Sequence, residues 1–138
     1  MKLAALKPEA ARQQLRDRWR RDRAAAQTLR SGFPRVERTR IDLSFKNAAS
    51  STPAAQSHIL HPAAQAFFAF PCPYSDCDGR FDLNGVVPAI LARSADHAEG
   101  DLECSGSRAR EGLGRQPCQL NVHFVVTAQY GRENDSLA

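Results

Sequence analysis

Residues 72–79 read Cys-Pro-Tyr-Ser-Asp-Cys-Asp-Gly, which places Cys72 and Cys77 on either side of a short turn. The two other cysteines of the chain, Cys104 and Cys118, form a second pair later in the sequence. A structural zinc ion takes four soft ligands in a tetrahedron, with Zn–S distances of about 2.3 Å. Two turns that each supply two thiols meet this requirement. The sequence therefore predicts one zinc ion bound by Cys72, Cys77, Cys104 and Cys118.

Three alternatives to this four-cysteine zinc site remain open. The thiols could form disulfides in a secreted protein, His97 or His123 could replace one cysteine, or iron could take the place of zinc. The N-terminal residues Met-Lys-Leu-Ala-Ala-Leu-Lys reach charge too early to contain a signal-peptide core. No apolar run approaches the roughly 20 residues that cross a bilayer. We therefore expect a cytoplasmic protein without a membrane segment, where reduced thiols favour metal over disulfides.

Alternating apolar residues predict two strands that each bury one face. The first runs from Thr39 to Phe45 and the second, which is longer, from Leu120 to Tyr130. Shorter strands are predicted at Ser57–His61, Gln65–Phe70, Arg80–Leu83 and Asp101–Cys104. The residues between Cys104 and Cys118 are rich in arginine and glycine and are expected to loop out from the site.

Helical spacing appears in two segments. Apolar residues at positions 87, 90 and 91 predict a helix from Val86 to Arg93, with Asn84 as its N-cap. Near the N-terminus, a segment rich in alanine, arginine, glutamine and leucine predicts a helix from Pro8 to about Leu29. Its apolar stripe is narrow, so this helix is expected to dock lightly or through a partner.

The two cysteine turns between predicted antiparallel strands resemble a zinc ribbon, and the resemblance covers roughly Phe70 to Tyr130. Its spacings are unusually long, because four residues separate the first cysteine pair and thirteen the second. The predicted fold class is α+β: a zinc-ribbon-like antiparallel sheet of four or five strands, an N-terminal basic helix, and one helix between the cysteine pairs. Four thiolates leave no open coordination position for water or substrate, so the predicted zinc is structural.

Charge divides the chain unevenly, although the net charge is only +4. Residues 1–40 hold 12 Lys/Arg and 4 Asp/Glu, whereas residues 41–138 hold 7 and 11. We predict a basic helical arm over residues 1–34, a zinc-ribbon-like domain over residues 35–131 and a flexible tail over residues 132–138.

A basic arm of this kind can contact nucleic acid or an acidic protein surface. The arginines predicted to make such contacts lie on the arm and in the loop between the second cysteine pair: Arg12, Arg16, Arg20, Arg23, Arg108, Arg110 and Arg115. No recognisable enzyme motif is present, so we expect a non-enzymatic protein. The first hypothesis is a nucleic-acid-binding module, and the alternative is a protein-interaction or structural adaptor with no nucleic-acid contact.

Overall fold

The computed structural model describes residues 8–48, 54–74, 76–110 and 114–131, without the side chains of residues 8–12, 109, 110 and 115. The predicted tail, residues 132–138, lies outside these ranges. The described residues form a mixed α/β fold, and none of their helices combines the length and apolar composition that a bilayer crossing needs.

Three helices and eight strands make up the described part of the chain. In sequence order they are α1 (Pro8–Ala25), α2 (Leu29–Gly32), β1 (Val36–Phe45), β2 (Ala55–Leu60), β3 (Ala69–Pro71), β4 (Arg80–Asp82), α3 (Val87–Ala92), β5 (His97–Glu103), β6 (Ser107–Arg110), β7 (Gly114–Pro117) and β8 (Asn121–Tyr130).

The main sheet has four antiparallel strands in the order β2-β1-β8-β5. In its centre β1 and β8 pair along nearly their whole length, with Ile41 opposite Val126 and Leu43 opposite Phe124. The apolar positions of both strands are buried and the alternate positions are more exposed. The strands predicted from the period of two are thus confirmed, because the buried face of an antiparallel sheet imposes that period.

Two smaller sheets flank the cysteines. Strand β3 pairs with β4, which places Phe70 opposite Phe81, and β6 pairs with β7 as a hairpin. The Phe81 ring lies 5.8 Å from that of Phe45 on β1. Phe45, Phe70, Phe81 and the buried residues of α3 all belong to one hydrophobic core, which also contains the four cysteines.

Helix α1 ends at Ala25, four residues before the predicted end. The next residues pair with a distant segment instead: the Leu29 N–H donates to the Ala64 carbonyl, and the Ala66 N–H donates to the Gln27 carbonyl, both at 2.8 Å. These bonds satisfy backbone groups that a longer helix would have used. Tertiary pairing therefore overrides the local helix propensity.

Other predicted boundaries also differ from the structure: β2 begins at Ala55 rather than Ser57, and β3 begins at Ala69 rather than Gln65. Strand β5 begins at His97 rather than Asp101, because it pairs with β8 over its full length from His97 opposite Thr127 to Glu103 opposite Asn121. The expected loop between Cys104 and Cys118 contains the β6–β7 hairpin. Hydrogen bonds between chain segments decide the start of β5 and the formation of the hairpin.

Candidate metal centre

The fold brings all four predicted cysteines together. Cys72 follows β3, Cys77 closes the first turn, Cys104 follows β5 and Cys118 follows β7. All four side chains are buried, and their sulfur atoms lie within 4.8 Å of one another. The group could therefore hold a metal ion.

The spacing of the sulfur atoms fits a tetrahedral thiolate site. Four sulfurs placed about 2.3 Å from a central zinc ion would lie about 3.8 Å from each other. The Cys72 and Cys118 sulfurs are 3.8 Å apart and the Cys77 and Cys104 sulfurs are 3.5 Å apart. A disulfide would require about 2.0 Å. The arrangement thus fits a shared cation better than cystine.

Both turns direct a backbone N–H at a cysteine sulfur. The Gly79 N–H donates to the Cys77 sulfur at 3.3 Å, and the Gly106 N–H donates to the Cys104 sulfur at 3.4 Å. Each bond spans a Cys-X-Gly triplet, so the two turns have the same local design. A hydrogen bond to sulfur favours the thiolate form, which is the form that binds metal.

The two glycines of these triplets face each other across the site. A Cβ atom added to Gly79 would lie 2.6 Å from the Gly106 Cα and closer still to the Cys104 sulfur. A Cβ atom added to Gly106 would collide with the backbone of Gly79 in the same way. Only residues without a side chain allow the turns to approach this closely.

Backbone bonds hold the two turns at a fixed separation. The Ser107 N–H donates to Asp78 Oδ1 at 2.7 Å, and the Asp78 N–H donates to the Ser107 carbonyl at 3.4 Å. The Cys118 N–H donates to the Gly106 carbonyl at 3.0 Å. Asp78 therefore ties the first turn to the second, as expected of a turn carboxylate that accepts backbone hydrogen bonds.

The thiols of the cluster have unequal acidities. Hydrogen bonds from Cys104 and Cys72 stabilise the thiolate of Cys77 and lower its pKa well below the usual range. Hydrogen bonds to Cys104 and Cys77, together with burial, raise the pKa of Cys72. Burial also raises the pKa of Cys118. Thiolates this close together repel one another, so deprotonation of all four needs the charge of a bound cation.

Neither histidine considered as a replacement ligand belongs to this group. His123 on β8 contacts Glu99 at 3.1 Å and Asp101 at 3.2 Å, and His97 on β5 contacts Glu99 at 3.4 Å. These contacts lie on the exposed side of the main sheet. Among the described residues, the donor set that the structure brings together consists of cysteines alone.

Three arginines of α1 that were predicted to contact nucleic acid have described side chains. They contact either the body of the protein or a residue of α1 itself. Arg16 donates to the Cys77 carbonyl at 3.2 Å, and Arg23 donates to the Ala69 carbonyl at 3.1 Å. Arg20 pairs with Asp17 at 2.7 Å on the exposed surface. The side chain of Arg12 lies outside the described part of the structure.

The arginines between the second cysteine pair divide into two groups. Arg108 is held by Asp76 at 2.9 Å, and its guanidinium lies 3.7 Å from the centre of the Tyr74 ring. It anchors the hairpin to the first cysteine turn. The side chains of Arg110 and Arg115 lie outside the described residues.

Sequence reasoning missed three residues that lie beside α1. Trp19 stacks under the Arg80 guanidinium, and Phe67 lies under that of Arg23. Phe67 falls within the predicted strand Gln65–Phe70, but β3 begins only at Ala69 and the Phe67 side chain is partly buried. The sequence did contain one sign of this arrangement. Arg16, Arg20 and Arg23 have i, i+4, i+7 spacing, which places them on one side of a helix.

Comparisons with family models, curated proteins and solved structures found no match to this chain.

Proposed function

We propose that this protein is a non-enzymatic nucleic-acid-binding module whose fold is stabilised by one structural zinc ion. The four buried cysteine sulfurs supply the zinc ligands. Because four thiolates fill a tetrahedral site, the metal has no position left for substrate or water. The two Cys-X-Gly turns with N–H···S bonds support a zinc-ribbon-like arrangement around it.

The observation that carries the binding proposal is the attachment of α1 to the cysteine turn. Arg16 donates to the carbonyl of Cys77, which is itself a predicted metal ligand. This bond links α1 to the proposed metal centre, and Arg16, Arg20 and Arg23 of α1 line one cleft. A surface of arginines held in place by a structural metal is suited to contact phosphates.

The test is a binding titration of the full-length protein with fluorescently labelled single-stranded and duplex oligonucleotides. We expect the logarithm of the binding constant to fall linearly with the logarithm of the salt concentration, because phosphate contacts release counterions. The double variant Arg20→Gln/Arg23→Gln should bind more weakly and show a shallower slope, by about 0.7 to 0.9 per arginine removed.

The matched control is Arg38→Gln/Arg93→Gln, which removes two exposed arginines outside the cleft. It therefore has the same net charge as the Arg20→Gln/Arg23→Gln variant. It should bind nearly as well as the parent protein. Salt-independent binding, or no binding at low salt, would overturn the nucleic-acid proposal.

The second candidate function is a protein-interaction adaptor without nucleic-acid contact. Strand β2 lies at the edge of the four-stranded sheet, and its Ile59 is 49% exposed. An open strand edge can accept a further strand from a partner. Failure of the nucleic-acid test would favour this alternative, in which the zinc ion only stabilises the fold.

A further inference from the structure

A cleft between α1 and the segment that leads into β3 combines arginines with aromatic rings. Four guanidinium groups and two rings line it, from Arg16, Trp19, Arg20, Arg23, Phe67 and Arg80. We call these residues the arginine cleft. No aspartate or glutamate is among the residues that line it in the described part of the chain.

Each ring of the arginine cleft is covered by a guanidinium. The Arg80 Cζ lies 5.1 Å from the centre of the Trp19 ring, and the Arg23 Cζ lies 5.5 Å from the centre of the Phe67 ring. Both distances are in the range of cation–π contacts. Flat cationic groups and flat aromatic groups thus share one small space, and a nucleobase can stack on either kind.

The charge of the arginine cleft favours an anion. Two of its arginines have carboxylate partners, since Arg20 pairs with Asp17 and Arg80 with Asp82. Arg23 donates to the Ala69 carbonyl, which is neutral and cancels no charge. The Arg20 side chain is 67% exposed, so a phosphate can reach it from solvent.

The volume of the arginine cleft limits its occupant to one chemical group of a longer ligand. The cavity measures about 140 Å³. Pockets that enclose a whole small molecule have volumes of roughly 300–1,000 Å³. A single base or phosphate, attached to a chain that continues over the surface, suits this size better than an entire metabolite.

We infer that the arginine cleft binds single-stranded nucleic acid, with one unpaired base in contact with both Trp19 and Phe67 and the adjacent phosphate on Arg20 or Arg23. This inference rests on the proposed nucleic-acid function and specifies its ligand. The Trp19 and Phe67 side chains are partly buried, so the base must leave its own strand to reach the rings. In a duplex the bases are paired and stacked and do not offer this face.

Trp19 provides a direct readout, because it is the single tryptophan of the chain. We would titrate the full-length protein with oligothymidylate, which is single-stranded, and with the duplex of the same strand and oligoadenylate. Stacking of a base should quench Trp19 fluorescence with the single strand, whereas the duplex should bind more weakly and leave the fluorescence largely unchanged.

The variant Phe67→Leu keeps an apolar side chain of similar size but removes one ring. Loss of one base–aromatic stack should weaken binding of the single strand by roughly 5- to 150-fold. Phe33→Leu is the matched control, since Phe33 is partly buried beside the core and does not line the cleft. It should leave binding unchanged, and circular dichroism should show that both variants are folded.

The outcomes separate this inference from the proposed function. If binding is salt-dependent, any one of three results would overturn the inference and leave the proposed function in place. These are no quenching of Trp19, equal affinity for the duplex, or no effect of Phe67→Leu. If neither the single strand nor the duplex binds, both the inference and the proposed function are overturned. Equal quenching by polyglutamate would show a general anion site and would also overturn the inference.

Discussion

At the cysteine centre, two glycines determine how closely the two turns can approach. The spacing of cysteines in the sequence indicates which residues supply thiols, but four thiols form a site only if their turns can meet. Gly79 and Gly106 meet backbone to backbone, and each N–H bonds to a cysteine sulfur of its own turn. The close approach of the four cysteines therefore depends on two residues that supply no thiol.

The variant Gly79→Ala should destabilise the site strongly. The added methyl group would collide with the backbone of Gly106 and with the Cys104 sulfur, and backbone cannot move aside as a flexible side chain can. We expect a loss of about 1–3 kcal/mol of unfolding free energy, the usual cost of overpacking. Urea unfolding would measure this loss, and competition with a chromogenic chelator would show faster release of zinc.

Gly85→Ala is the matched control, because nothing lies within 4 Å of the position that its Cβ would occupy. It should be neutral or slightly stabilising, since alanine lowers the entropy of the unfolded chain. If Gly79→Ala and Gly85→Ala behaved alike, the close approach of the two turns would not be required for the metal centre.

Among the elements, the connection before α3 is fixed by a side chain whose role the sequence did not reveal. Asn84 was predicted to cap α3, but the N-cap position is Val86 and it makes no side-chain cap bond. The Asn84 Oδ1 instead accepts from the Phe68 N–H at 2.7 Å. It joins the segment that precedes β3 to the segment that precedes α3.

The variant Asn84→Ala should lower the unfolding free energy by about 1–3 kcal/mol, because the N–H of the buried residue Phe68 would lose its acceptor. Asn84→Asp keeps an acceptor oxygen in the same place and should lose much less. Urea unfolding of both variants would measure the difference. Equal stability of Asn84→Ala and the parent protein would contradict this role for Asn84.

The sequence predicted elements well where one periodic pattern decides the structure. Strands β1 and β8 follow the alternation of their residues, and α3 follows its apolar spacing, because each buries one side against a single core. Prediction from the sequence failed where distant segments compete for hydrogen bonds, as at the end of α1 and the start of β5. The Cys-X-Gly triplets are visible in the sequence, but their mutual contact is not.

The arginine cleft could not be predicted for the same reason. Trp19, Phe67 and Arg80 come from three separate parts of the chain, and only the folded protein brings them together. Helical spacing could have placed Arg16, Arg20 and Arg23 on one face. It could not have shown that this face turns toward the aromatic residues near β3.

For the whole molecule, the cysteine cluster lies within the hydrophobic core instead of beside it. The four cysteines belong to the same buried cluster as the residues of the main sheet and α3. Through the Cys77 carbonyl the centre also holds Arg16 of α1. Loss of the metal should therefore disturb the core, the small sheets and the arginine cleft together rather than one loop.

We predict that purified protein contains one zinc ion per chain and that its removal by a chelator unfolds the domain. Structural zinc contributes on the order of 10–16 kcal/mol of apparent binding free energy. The stability of a whole domain is about 5–15 kcal/mol, so the metal-free chain should lack a stable fold.

Cys77→Ser should have the same effect as the chelator, whereas His123→Ala should retain the zinc ion because His123 contacts carboxylates on the main sheet. Elemental analysis and circular dichroism would measure both properties. A protein that stays fully folded without metal would refute the structural role, and a coloured iron-containing protein would refute zinc as the bound metal.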